Sequence, residues 1–376
     1  MKIAVLKEGP GETRVAAIPE TVKKFVGLGA SVAVEQGAGA FASIADADFE
    51  AAGASVGSRG DILKDADAIL CVMGPEADGL AGARQGARLI GALDPLRRGD
   101  AIAAYARAGL EALAMEWMPR ITRAQSMDIL SSQSNLAGYK AVVDAGSIYG
   151  RAFPMMMTAA GTVSPAKTFV MGVGVAGLQA IATAKRLGAQ VSATDVRSAT
   201  REQIQSLGAK PIFVEGVVGI EGEGQGGYAS ETSAEYQAAQ AELVSGHIAK
   251  QDIVITTALI PGRPAPRLIS DAQLATMRAG SIIVDLAAEA GGNVEGCIPG
   301  ETVVRHGVTI VGAVQLARTL AADASALFAR NLANFLTAFW DKEKGTLALP
   351  DEDEIVAGIR LTSGGAVVHE RLKTPQ

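Results

Sequence analysis

The stretch Lys167-Thr-Phe-Val-Met-Gly172-Val-Gly174-Val-Ala-Gly177-Leu-Gln-Ala-Ile-Ala182 decides the fold. An apolar, β-rich run enters Gly172-x-Gly174-x-x-Gly177, and an Ala/Leu/Ile run leaves it. Gly172 permits the tight turn, Gly174 lets backbone approach a pyrophosphate, and Gly177 lets helix and strand pack closely. Gly174, Val175 and Ala176 then open a helix whose unpaired N–H groups and positive dipole end attract phosphate. The next β-rich run ends in Asp195, 18 residues beyond Gly177. A carboxylate there accepts hydrogen bonds from a ribose 2′-OH and repels a 2′-phosphate, which favours NAD(H) over NADP(H). Val196 and Arg197 follow, and Arg197 is a base that could instead receive that phosphate. Further on, Thr257-Ala258-Leu259 succeed the apolar run Ile253–Thr256. They either line the cofactor crevice or form a plain buried strand end.

Outward from this motif, the chain alternates strand-like and helix-like runs in two blocks. The first has strands at 2–6, 31–35, 68–73, 88–93 and 110–115, with helical spacing between, as at Val22, Phe25 and Val26. The second has strands at 167–171, 190–194, 210–214, 253–256, 281–285 and 309–311. Strands separated by helices imply right-handed crossovers and parallel sheets, an α/β class. Long helices are expected at 132–151 and 320–340. They link a discontinuous first domain (1–131 plus 341–376) to a second (152–319). The uncharged run Ala152–Ala166, with Pro154 and Pro165, reads as an inter-domain crossing. The glycine-rich run Gly216–Ala229 reads as a loop that either acts as a lid or has no role.

Composition narrows the function. There are 34 Lys plus Arg against 40 Asp plus Glu, a net charge of −6, which disfavours nucleic acid and anionic membranes as partners. Two cysteines and three histidines form no spaced metal cluster, so no metal site is expected. The longest uncharged stretch, 168–184, carries three glycines and reads as strand, turn and helix rather than a membrane span. The chain is expected to be soluble and intracellular. Most dehydrogenases move a proton with the hydride and need an acid or base. None of the three histidines stands in a context that suggests this. Transfer between two nicotinamides needs no such residue, only alignment of the rings and exclusion of water.

Residues 120–139 (RITRAQSMDILSSQSNLAGY) and 152–163 (AFPMMMTAAGTV) resemble the NAD(H)-binding component of the proton-translocating NAD(P) transhydrogenase family. GVGVAGLQAIATAKRLGA, ATDVR, TTALIPG, DLAAEAGGN and AADASALFARN extend the likeness over nearly the whole chain. Lys7-Glu8 and Arg14-Val15-Ala16 are similar to the signature of alanine dehydrogenase, in the same wider family. The resemblance implies two Rossmann-like domains, a homodimer, a partner component that binds NADP(H), and a separate membrane component that conducts protons. It also implies a cytoplasmic place on the inner face of the membrane, reached through partner subunits. Hydride would pass directly between NADH here and NADP⁺ on the partner. The family's RxxxxQxxDxxS pattern falls on Arg120, Gln125, Asp128 and Ser131. By the resemblance, Gln125 bonds across to the facing cofactor, Asp128 and Ser131 hold the carboxamide, and Arg120 orients it and pairs with Asp128. Tyr228 would close the glycine-rich loop over NAD(H). The lysine and histidine of alanine dehydrogenase match approximately Cys71 and Leu89, which argues against amino-acid dehydrogenation. An Asn-x-Pro-Ser-like turn of the family is replaced by Ala313-Val-Gln315-Leu-Ala-Arg318, which leaves a non-catalytic NAD(H)-binding module as a further alternative.

Overall fold

The structure is a computed structural model that describes residues 1–214, 234–260 and 262–373. The chain divides into two compact units, residues 1–133 with 318–376, and residues 134–317.

The first unit holds a six-stranded sheet. Its strands are β1 (Lys2–Val5), β2 (Ser31–Glu35), β3 (Ser55–Gly57), β4 (Ala68–Met73), β5 (Arg88–Ala92) and β6 (Glu111–Ala114). They lie in the order β3-β2-β1-β4-β5-β6, and every pairing is parallel. This is a doubly wound topology. Parallel strands are covered on both faces, and the residues alternate accordingly. Ile3 and Val5 join one buried cluster with Phe25, Phe328 and Phe335. Ala4 and Leu6 join the other with Ile69, Leu89 and Tyr105. The edge strand β3 escaped the sequence reading because three residues carry no visible period. The helix Ala321–Ala338 buries Phe328, Leu332, Phe335 and Leu336 in this unit, so it supplies core as well as connection.

The second unit holds a seven-stranded sheet. Its strands are β7 (Lys167–Met171), β8 (Gln190–Thr194), β9 (Lys210–Pro211), β10 (Ile253–Thr256), β11 (Ile282–Asp285), β12 (Thr302–Arg305) and β13 (Val308–Gly312). The order is β9-β8-β7-β10-β11-β13-β12, parallel except for the β12–β13 pair. β12 was not legible because its residues are mostly exposed and include Arg305. Val170, Ile253, Ile255 and Val284 face one buried layer, and Phe169, Met171, Val254 and Ile283 the other. The uncharged run after Ala152 forms a hairpin, Met156–Thr158 with Gly161–Val163, and Met157 is 78% exposed. Among the described residues no helix is long and apolar enough to cross a membrane.

Candidate functional site

In the second unit, β7 delivers the chain into Gly172, which takes φ +99°. That conformation is open to glycine and strained for other residues. Space is equally restrictive, since a Cβ on Gly172 would lie 2.6 Å from Thr257 Oγ1. Gly174 precedes the helix Val175–Arg186. A Cβ there would enter open space, the space a pyrophosphate needs at the helix N-terminus. A Cβ on Gly177 would lie 1.9 Å from the Gly172 carbonyl oxygen, so only glycine lets helix and strand meet. Val175 and Ala176 supply the first helical N–H groups, which have no partner within a helix. Residues and space together fit a dinucleotide.

Asp195 sits just beyond β8 and is 7% exposed. Its Oδ2 accepts the Val173 N–H at 2.7 Å, which ties it to the glycine turn. Its Oδ1 accepts the Arg197 backbone N–H and the Arg197 Nε–H, each at 2.9 Å, and Arg197 Nη2 donates to Oδ2 at 2.9 Å. The guanidinium that could have received a 2′-phosphate is therefore turned onto the carboxylate in a bidentate pair. Val196 is half-buried between them.

Beyond β10, Thr257 Oγ1 donates to the Gly172 carbonyl at 3.0 Å. Thr257 and Ala258 are half-buried, and Leu259 is 41% exposed. Two buried polar residues that sequence reading did not single out hold this turn. Asn293, with no exposed surface, accepts the Ala258 N–H at 3.0 Å and donates to the Ala258 and Pro266 carbonyls at 2.9 and 2.8 Å. Asp285, equally buried at the end of β11, accepts from Thr256 Oγ1, Ala287 N–H and Val294 N–H. An Asp closing an apolar strand and an Asn after Gly-Gly are the only signals in the string that could have flagged them. Gln315 takes φ +42°, and its N–H reaches Glu289 Oε2 at 3.3 Å.

Helix Ile129–Ile148 brings Gly138 against the first turn of the glycine-motif helix, where its Cβ would lie 2.1 Å from the Ala176 carbonyl oxygen. This contact, too, was invisible in the sequence.

In the first unit, Thr122–Met127 is a 3-10 helix, with Arg120 and Gln125 exposed. Asp128 caps the following helix. Its Oδ1 accepts the Ser131 N–H at 3.0 Å, and its Oδ2 accepts the Ser131 hydroxyl at 2.6 Å. Asp128 is thus the cap and Ser131 its partner. Cys71 and Leu89 are fully buried in the sheet core, where neither can polarise a substrate carbonyl. Burial also pushes the Cys71 thiol well up. Tyr228 and the Gly216–Ala229 run lie outside the described residues.

Residues 4–137 match the family described as "Alanine dehydrogenase/PNT, N-terminal domain", and residues 141–370 match "Alanine dehydrogenase/PNT, C-terminal domain". The chain is 54% identical, over 99% of both chains, to an "NAD(P) transhydrogenase subunit alpha" chain of Rhodospirillum rubrum, whose alpha subunit is made in more than one piece. It is 47% identical to the corresponding alpha-subunit chain from Rickettsia prowazekii, over 98% of this chain and 96% of the relative. The solved transhydrogenase of Sinorhizobium meliloti superposes with a TM-score of 0.89 at 55% identity, covering 98% of this chain and all of that one. The chain belongs to the alanine dehydrogenase/PNT family, among its NAD(P) transhydrogenase alpha subunits.

Proposed function

We propose that this chain binds NAD(H) in its second unit and passes hydride between NADH and NADP⁺ held by a partner component. When bound, NAD(H) supplies the hydride-carrying C4 carbon of the nicotinamide. The observation that carries the reading is the Gly172–Gly177 turn, open at Gly174 and tied by Val173 to a carboxylate already paired with Arg197. Backbone N–H groups of Val175 and Ala176 hold the pyrophosphate, and Asp195 takes the ribose hydroxyls. Thr257, Ala258 and Leu259 border the crevice. The 120–131 segment carries the groups for the nicotinamide end. Gln125 reaches the facing cofactor, Asp128 and Ser131 hold the carboxamide, and Arg120 orients it. Tyr228 closes over the bound dinucleotide. The chain works as a homodimer, peripheral on the cytoplasmic face of the membrane. A membrane component of the assembly conducts the coupled protons. The chain's relatives named as transhydrogenase alpha subunits support this reading, since such a subunit implies others.

The test mixes the purified chain with the NADP(H)-binding component of a related transhydrogenase. NADH and an NADP⁺ analogue whose reduced form absorbs separately are supplied. Transfer that requires both proteins is expected. Gln125→Asn is expected to cut the transfer rate far more than NADH affinity. Equal losses in both would overturn the role given to Gln125. NADH oxidation by the chain alone with pyruvate and ammonium would overturn the reading as a whole.

A further inference from the structure

The segment that carries Gln125 has little to hold itself. Its 3-10 helix is six residues long, and such helices are short because their hydrogen-bond geometry is poor. Gln125 and Ser126 are exposed, while Ala124 and Met127 are buried. Yet the chain is gripped on both sides of Gln125 by residues that follow it by some two hundred positions. On one side, Arg123 Nη1 and Nη2 donate to both oxygens of Asp353, at 2.9 and 2.7 Å. Asp353 is itself fixed as the cap of helix Glu354–Ile359. On the other side, the Ser126 carbonyl accepts two side-chain amides, Asn331 Nδ2 at 2.8 Å and Asn334 Nδ2 at 3.1 Å. Two donors saturate a carbonyl oxygen. Residues three apart lie on one helix face, so both amides reach the same atom. Asn331 is 8% exposed, and its Oδ1 accepts the Ser132 hydroxyl at 2.7 Å, so its amide is used at both ends.

Asparagine is a poor helix former, and its amide is costly to bury. Two of them in the Ala/Leu/Phe-rich helix Ala321–Ala338 call for a reason. We infer that Asn331, assisted by Asn334, is a positioning residue for hydride transfer: it fixes the Ser126 peptide and thereby the place of Gln125. This rests on the reading of Gln125 as the group that meets the facing cofactor. Neither asparagine touches the dinucleotide motif, so they act on the alignment of Gln125 and not on NADH binding.

The test is a double-mutant cycle in the two-component transfer assay, with the whole chain. Asn331→Asp removes the donor to Ser126 and keeps the acceptor for Ser132. A misplacement near 1 Å lowers rates by roughly a hundredfold, so a loss of roughly ten- to a hundredfold in transfer rate is expected, with NADH affinity unchanged. In a Gln125→Ala background the same substitution is expected to cost nothing further. A full additional loss there would overturn the inference, as would an unaltered rate for the single variant. Gln125→Ala without effect would instead overturn the underlying site reading, and the inference with it. If Asn331→Asp does not fold, Asn334→Asp at the exposed neighbour takes its place in the cycle. The amides of residues 124–128 should then exchange hydrogen faster while those of β7 do not. Unchanged protection in the 124–128 segment would overturn the inference.

Discussion

Gly138→Ala should weaken NADH binding, although the same substitution in an ordinary helix is stabilising. Gly138 lies inside helix Ile129–Ile148, where alanine is favoured over glycine by about 1 kcal/mol. Against this stands the space available. The new methyl would lie 2.1 Å from the Ala176 carbonyl oxygen, 2.8 Å from its carbon and 2.9 Å from its Cα. Carbon contacts settle at about 3.5–4.0 Å, so the first turn of Val175–Arg186 has to retreat by more than 1 Å or the helices must part. Both partners are backbone, so no side chain can swing away. Overpacking of this kind costs about 1–3 kcal/mol. The displaced turn carries the N–H groups assigned to the pyrophosphate, and hydrogen bonds to a charged group are worth about 1.5–3 kcal/mol each. Loss of one corresponds to roughly a ten- to hundredfold weaker Kd for NADH. The assay is equilibrium fluorescence titration with NADH, together with thermal unfolding. Gly246→Ala is the control, an exposed glycine in helix Ala234–Ile248 with nothing within 4 Å of the added carbon. It should raise stability and leave Kd alone. Wild-type affinity and stability for Gly138→Ala would refute the packing argument.

Three further outcomes are expected. Asp195→Ala removes the acceptor for Val173 N–H and releases Arg197. NADH affinity should fall, and discrimination against NADPH should shrink by about tenfold or more, read by parallel titrations. Asp285→Asn turns an amide toward the Val294 N–H and should cost about 1–3 kcal/mol in urea unfolding. Glu116 accepts the Leu93 and Asp94 N–H groups, its Oε2 is buried without a partner, and burial pushes its carboxyl from 4.5 up to about 7. A raised carboxyl pKa means that its stabilising contribution is complete below about 4.5 and is lost as pH rises through about 7. Glu116→Gln mimics the protonated form, so the fall in stability between mildly acid and mildly alkaline pH should be smaller than in the wild type. An unchanged slope in denaturant titrations would refute it.

Much of the dinucleotide-binding half was readable because its code is local. The strand, the three glycines and the helix of 167–186 are contiguous, and each glycine answers to a backbone conformation or a close approach within the same few residues. The apolar runs of β1, β4, β7 and β10 were readable for a related reason. Strands buried on both faces are continuously apolar, and they stand out between helical patterns. β3 and β12 did not stand out, because an edge strand that is short or exposed has no burial to imprint a pattern.

What the sequence by itself determined, then, is the α/β class, the glycine turn and its acidic companion Asp195, along with the segment from Arg120 to Ser131 that resembles a family pattern. The tertiary structure alone decided which residues hold those parts in place. Arg197 folds back on Asp195, Asn293 latches Ala258, Asp285 ties β10 to the 287–294 turn, and Asn331 grips Ser126 across more than two hundred positions of chain. The physical reason is range. A glycine's conformation and a helix cap are satisfied by neighbours a few residues away, and leave a signature there. A buried amide or carboxylate is satisfied by whatever donor the fold brings to it, and nothing in its own flanking sequence says which one that will be.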